Sequence, residues 1–224
     1  MQLHSDLSTR VAVDSNALPW VASPVKGVER RMLDRDGGEV ARATSLVRYE
    51  AGCQFTSHRH DLGEEFLVLS GIFEDEFGQY PTGTYVKNPP GSLHAPGSTE
   101  GCVLFVKLRH LQAADTQRVV VDMNTAPWRP GLVEGLSVMP LSSFGPEHTA
   151  LVRWAPGTRF QRHTHWGGEE IFVVEGTFED EWGQYPKGTW LRSPHLSTHE
   201  PLSTDGCTIL VKTGHLRPRD VPHA

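Results

Sequence analysis

The stretch His58-Arg59-His60-Asp61-Leu62-Gly63-Glu64 decides the fold, and it returns 105 residues later as His163-Thr164-His165-Trp166-Gly167-Gly168-Glu169. His94 returns at the same displacement as His199. In a strand, successive side chains point to opposite faces, so His58 and His60 share a face and can close on one ion. On a helix they could not, because only residues three or four apart are neighbours there. The spacing therefore predicts strand and metal together, twice. A lone strand histidine is ordinarily a packed or surface residue, but six in register with two glutamates are a ligand set.

Around these residues the repeat is extensive. Leu46 to Leu111 aligns with Leu151 to Leu216 at about one identity in two. Upstream the match resumes at an offset of 108, where Val13, Asp14, Asn16, Pro19 and Trp20 answer Val121, Asp122, Asn124, Pro127 and Trp128. The slip falls between Leu33 and Leu46, where Asp34 to Glu39 reads as a longer turn. A period this long exceeds that of solenoids, so each copy is expected to be a domain with its own core, 11–112 and 119–217.

Composition supports two modest soluble domains: 224 residues, 38% hydrophobic, with 22 glycines and 16 prolines among short apolar runs. That pattern favours an all-β sandwich or barrel. Phe66 to Leu69 and Ile171 to Val174 are apolar on both faces. With Glu64 facing the cavity, Phe66 and Val68 line it, and Leu67 and Leu69 face a cover, for which the sister domain is the candidate. The strands near Val13 to Trp20 and Val121 to Trp128 are candidates for exchange over open sheet edges. The acidic runs Glu74-Asp75-Glu76 and Glu179-Asp180-Glu181 read as solvated hairpins rather than a second metal cluster. Arg217 to Ala224 reads as a loose tail.

Gly52 to His60, Glu64 and Gly71 resemble the first cupin motif, G-x5-H-x-H-x3-4-E-x6-G, and Gly157 to His165, Glu169 and Gly176 repeat it. Gly83, Pro89, Gly91 and His94 resemble the second, G-x5-P-x-G-x2-H. Gly188, Pro194 and His199 follow it with Leu196 in the place of the second glycine, a departure that bears on the turn before His199. Ser98 and Ser203 stand where the second motif ends in Asn. The Glu-Glu pair, the Phe-Glu-Asp-Glu block and Gly-Cys-x-x-x-Val-Lys are similar to the ChrR cupin-like family. The resemblance implies two tandem cupin domains (double-stranded β-helix, jelly roll). It implies one divalent metal in each, held by His58, His60, Glu64 and His94 and by His163, His165, Glu169 and His199.

Relatives in that resemblance fall into two camps, zinc-containing anti-sigma factors and non-haem iron dioxygenases, and fold alone does not choose. Three imidazoles and a carboxylate suit zinc, or iron, manganese, nickel or cobalt with two positions left open. The expected reading is a dioxygenase-like, metal-dependent enzyme acting on a small carbonyl compound. A ChrR-like zinc sensor, or a binding protein without turnover, is the alternative. Only about ten residues precede the first repeat, leaving no room for a helical sigma-binding module, so a sigma factor is not the expected partner.

Glu65 and Glu170 should point away from the ligand glutamates and read as structural. Gln54 and Thr56, against Arg159 and Gln161, are expected on the histidine face, with Phe66 against Ile171. Tyr85 and Phe105, against Trp190 and Leu210, are further pocket candidates of open facing. Arg48 and Arg153 read as surface strand residues before anion binders. Cys53, Cys102 and Cys207 form an odd set without C-x-x-C spacing, expected as buried thiols in a reducing compartment. A net charge of −6 without a basic stripe excludes nucleic acid as a natural partner. No signal peptide or membrane span is visible, so cytoplasm is the expectation and a small molecule the expected ligand. A homodimer stays open.

Overall fold

The computed structural model describes residues 1–216, so the tail expected at Arg217 to Ala224 lies outside the described residues. The described chain is β structure with one short 3-10 turn, Ser15–Ala17. None of its helices is long and apolar enough to cross a membrane. Two compact units form, and they do not follow the repeat boundaries 11–112 and 119–217. The first holds 1–5 and 18–126, and the second holds 6–17 and 127 onward.

In the first unit the main sheet runs Gln2–Leu3, Val28–Gly37, Ala41–Tyr49, Cys102–Leu108, Glu64–Asp75, Thr84–Asn88, Val119–Asp122. In the second it runs Arg129–Pro130, Leu136–Phe144, Glu147–Trp154, Cys207–Thr213, Glu169–Asp180, Thr189–Ser193, Val11–Asp14. The last strand of each list is the regrouped segment. Val121 pairs with Tyr85, and Val13 pairs with Trp190, so each arm covers an otherwise open edge. Ser15 anchors its arm with a 2.6 Å hydroxyl hydrogen bond to the Gly188 carbonyl.

Strand alternation builds the interiors. Phe66, Val68, Val86, Leu104 and Val106 meet in the first core, and Ile171, Val173, Leu191 and Ile209 in the second. Each such side chain contributes about 1.5–3 kcal/mol on full burial. Both long central strands bend at a glycine. Gly71 and Gly176 have φ of 75° and 73°, next to register shifts opposite Val103/Leu104 and after Val173. The half before the bend joins the main sheet. The half after it pairs with Gly78–Pro81 or Gly183–Pro186 and carries Asp75 or Asp180.

Two local expectations change. Asp34 to Gly37 is strand rather than turn, because Gln2–Leu3 pairs with Arg35 and Asp36 and extends the hairpin. The turn before His199 survives the loss of glycine: Leu196 adopts φ 62° where Gly91 has 83°. Both donate their N–H to the first-motif histidine carbonyl, Leu196 to His165 at 3.0 Å and Gly91 to His60 at 2.8 Å. A left-handed leucine costs roughly 1–2 kcal/mol.

Candidate metal centres

His58–His60 is a strand, and it pairs antiparallel with Ser92–His94 so that His94 lies opposite His58. The second unit repeats this with His163 opposite His199. Three imidazoles converge in each unit, with candidate ligand atoms within 4.8 Å of one another. In the first, His60 Nε2 and His94 Nε2 are 2.9 Å apart, and Glu64 oxygens lie 3.5 Å and 3.2 Å from them. In the second, Glu169 Oε2 lies 3.5 Å from His165 Nε2 and 3.6 Å from His199 Nε2. The structure thus brings all eight sequence-selected residues into two clusters of four.

Ring orientation is set from outside. His58 Nδ1 is 3.1 Å from the Thr56 carbonyl and His163 Nδ1 is 2.9 Å from the Gln161 carbonyl, contacts that leave Nε2 of each ring for the cluster. His94 Nδ1 faces Asp75 Oδ2 at 3.3 Å, and His199 Nδ1 faces Asp180 Oδ2 at 3.7 Å. These aspartates belong to the runs read as solvated hairpins. The hairpins form, but the Asp75 and Asp180 side chains are buried behind the histidines, because the bent strand turns them inward. The 105-residue repeat of both aspartates was the available signal. Amphipathic alternation could not show it, since the bulge shifts the pattern.

Burial shapes the charges. His165 is pushed down to about 3 by burial and by the neighbouring His199 and His163. Burial lifts the Glu169 carboxyl to about 7, against the pull of His199. Burial also lowers His60 despite Glu64. For His94 burial acts downward, but the Asp75 hydrogen bond with the Glu64 and Asp75 charges prevails and raises it.

The second cluster contains its own test of fit. His165 Nε2, His199 Nε2 and Glu169 Oε2 are buried and have no hydrogen-bond partner. Each such orphan costs about 1–3 kcal/mol. A divalent cation satisfies all three at once, and neutral imidazoles with a carboxylate are the donor set it requires.

Over this cluster lies a cavity of about 320 Å³. Its walls include Leu136, Val138, Val152, Phe160, Ile171 and Val211, with Thr213 the polar residue beside the cluster. Ile171 therefore faces in as expected. Arg159 and Gln161 do not line it, and with Gln54 and Thr56 they are exposed. The segment between Arg159 and His163 is not regular strand, so alternation fails and Phe160 turns inward instead. Trp190 and Leu210 are also absent from the lining. Tyr85 turns to Glu65, donating at 2.7 Å, and Glu65 also meets His110 Nε2 at 2.8 Å, away from the cluster. Arg48 and Arg153 stack over Trp20 and Trp128 at 4.6 Å and 4.1 Å.

The family model for the ChrR cupin-like domain matches residues 8–112 and again 116–217. The chain belongs to the ChrR cupin-like family. No curated protein matches it by sequence. Among solved structures, this cupin pair is similar to a Nostoc punctiforme protein provisionally named a dioxygenase (TM-score 0.78, 15% identity, covering 97% of this chain and 87% of that one). It is also similar to the Escherichia coli pirin YhhW in complex with nickel(II) (0.66, 15%, 92% and 98%). A third is the Lactobacillus farciminis oxalate decarboxylase formate complex (0.67, 13%, 96% and 88%). At these identities the likeness concerns the cupin fold.

Proposed function

We propose that this bicupin binds one divalent metal in each unit, through His58, His60, Glu64 and His94 and through His163, His165, Glu169 and His199. The second site is further assigned a metal-dependent, dioxygenase-like reaction on a small carbonyl compound. The carrying observation is the set of unpartnered, buried donor atoms at His165, His199 and Glu169, opening onto an apolar cavity. Iron is the metal that this reading requires; bound there, it would supply Lewis-acid and redox chemistry.

The residues themselves hold geometry and supply an apolar wall. The Gln161 carbonyl and Asp180 aim His163 and His199, and burial keeps His165 neutral and ready to ligate. Walls of Leu136, Val138, Val152 and Ile171 select a neutral, largely apolar substrate body, and among the described residues no lysine or arginine lines the cavity to receive a dianion. The nickel-bound pirin and the protein named a dioxygenase make metal-dependent chemistry a reasonable use of this fold.

Elemental analysis of protein purified without added metal, coupled to oxygen uptake with acetylacetone and simple hydroxyketones, tests the reading. Iron with uptake supports it. Tight zinc and no uptake after iron reconstitution would overturn it in favour of a ChrR-like zinc sensor.

A further inference from the structure

Each unit carries a chain of side chains from its regrouped arm to the metal cluster. In the first, Arg118 Nη2 donates to Tyr80 Oη at 2.6 Å, Tyr80 donates to Asp75 Oδ1 at 2.9 Å, and Asp75 Oδ2 faces His94 Nδ1. Arg118 Nε also donates to Asn88 Oδ1 at 3.0 Å, and Asn88 Nδ2 donates to Glu64 Oε1 at 2.8 Å. One guanidinium therefore braces two of the four clustered side chains. In the second unit Arg10 Nη2 donates to Tyr185 Oη at 2.6 Å and to Asp180 Oδ2 at 3.0 Å, and Tyr185 donates to Asp180 Oδ1 at 2.7 Å. Ser193 stands in the place of Asn88 in the repeat, and Glu169 Oε2, which faces the histidines, has no hydrogen-bond partner.

Arg10 and Arg118 obey the 108-residue offset of the arms, yet each packs in the unit built from the other repeat's barrel strands. The exposed aromatics at the hairpin tips are their platforms: Arg118 lies 5.1 Å from the Phe77 ring and Arg10 5.7 Å from that of Trp182. A planar guanidinium can serve two acceptors at fixed angles, which a lysine cannot.

We infer that Arg118 and Arg10 are positioning residues for the metal centres, so that each centre reaches full affinity only when the other repeat's arm is seated on it. The physical route is orientation. The arginine fixes the tyrosine hydroxyl on the aspartate, the aspartate faces Nδ1 of the histidine at 3.3 Å in the first unit and 3.7 Å in the second, and Nε2 is left aimed at the cluster. The inference rests on the metal-binding reading above.

The test uses the full chain in two single-site backgrounds, His165→Ala to leave the first site and His60→Ala to leave the second, titrated with Zn(II) against a chelating dye. Cobalt spectra report ligand geometry. Arg118→Ala should weaken the first site about 10–100-fold and leave the second unchanged, and Arg10→Ala should do the converse. Arg118→Lys should recover part of the loss. Tyr80→Phe, which removes one hydroxyl, should reproduce much of it, and combining it with Arg118→Ala should add less than the two separate losses. Unchanged affinity and cobalt spectra in all variants would overturn the inference while the parent still binds two metals. So would losses that merely track a lower melting temperature of the metal-free protein. A parent that binds no metal would instead remove the underlying site reading, and the inference with it.

Discussion

Gly71→Ala should damage the first unit severely, and its cost can be built from local terms. A Cβ at Gly71 would fall on the Gly101 carbonyl oxygen and 2.9 Å from the Cys102 Cα, well inside an ordinary carbon contact of about 3.5 Å. At φ 75° the alanine bears roughly 1–2 kcal/mol of left-handed strain, offset by about 0.4–1 kcal/mol from a less flexible unfolded chain. Backbone cannot rotate away as a side chain does. Relief requires separating the strands, which loses the Thr82 N–H to Gly71 and Ile72 N–H to Gly101 hydrogen bonds, at 3.0 Å and 3.4 Å. These are worth about 1 kcal/mol each. The sum is about 2–4 kcal/mol. Urea unfolding, with hydrogen exchange read on peptides from Glu64–Asp75, measures it. The bend also delivers Asp75 to His94, so metal affinity at the first site should fall in parallel. Gly38→Ala, where a Cβ meets nothing within 4 Å, is the control and should cost under about 0.5 kcal/mol. If Gly71→Ala costs no more than the control, the bend is not enforced by close backbone approach and the reasoning fails.

Other expectations follow from the same geometry. Val152→Phe should fill part of the second cavity and weaken binding of an apolar carbonyl ligand, while both metal equivalents remain by elemental analysis; equal ligand binding would remove the cavity from the substrate assignment. Burial lifts the Cys102 and Cys207 thiols to about 11 from 9.0, so the native protein at pH 8 should react sluggishly with thiol reagents. Because the folded value is raised, their contribution to stability is complete below about pH 9 and lost as pH climbs through 11, up to about 3 kcal/mol each. Replacing both by alanine should make denaturation midpoints fall less steeply across that window, the remaining slope coming from Cys53 and the tyrosines that burial also raises. Arg153→Ala should cost about 0.5–1 kcal/mol through its lost stack on Trp128 and leave ligand binding unaltered. A changed ligand affinity there would restore the anion-binding role.

The clusters were legible because a strand's two-residue period is local: His-x-His on one face needs no distant information, and the 105-residue echo adds the glutamate and third histidine. The inward Phe66 and Ile171 follow from the same alternation. Where regular strand lapsed, as between Arg159 and His163, the extrapolated facing of Arg159 and Gln161 failed and Phe160 took the cavity wall. Leu196 shows the converse, since the surrounding hydrogen bonds held a glycine-like turn that its own side chain disfavours.

Sequence by itself determined the duplication and the two His-x-His faces, since spacing along a strand dictates which residues share a face, and its resemblance to the cupin motifs implied the two barrels and the remaining four side chains. Only the tertiary structure decided that residues 6–17 pack in the second unit and that Val119–Asp122 closes the first. It also decided that Asp75 and Asp180 are buried behind histidines. An edge strand's unpaired N–H and C=O groups accept any complementary strand, and a bulge re-aims every side chain beyond it. Those choices depend on which surfaces meet in space, which no local period encodes.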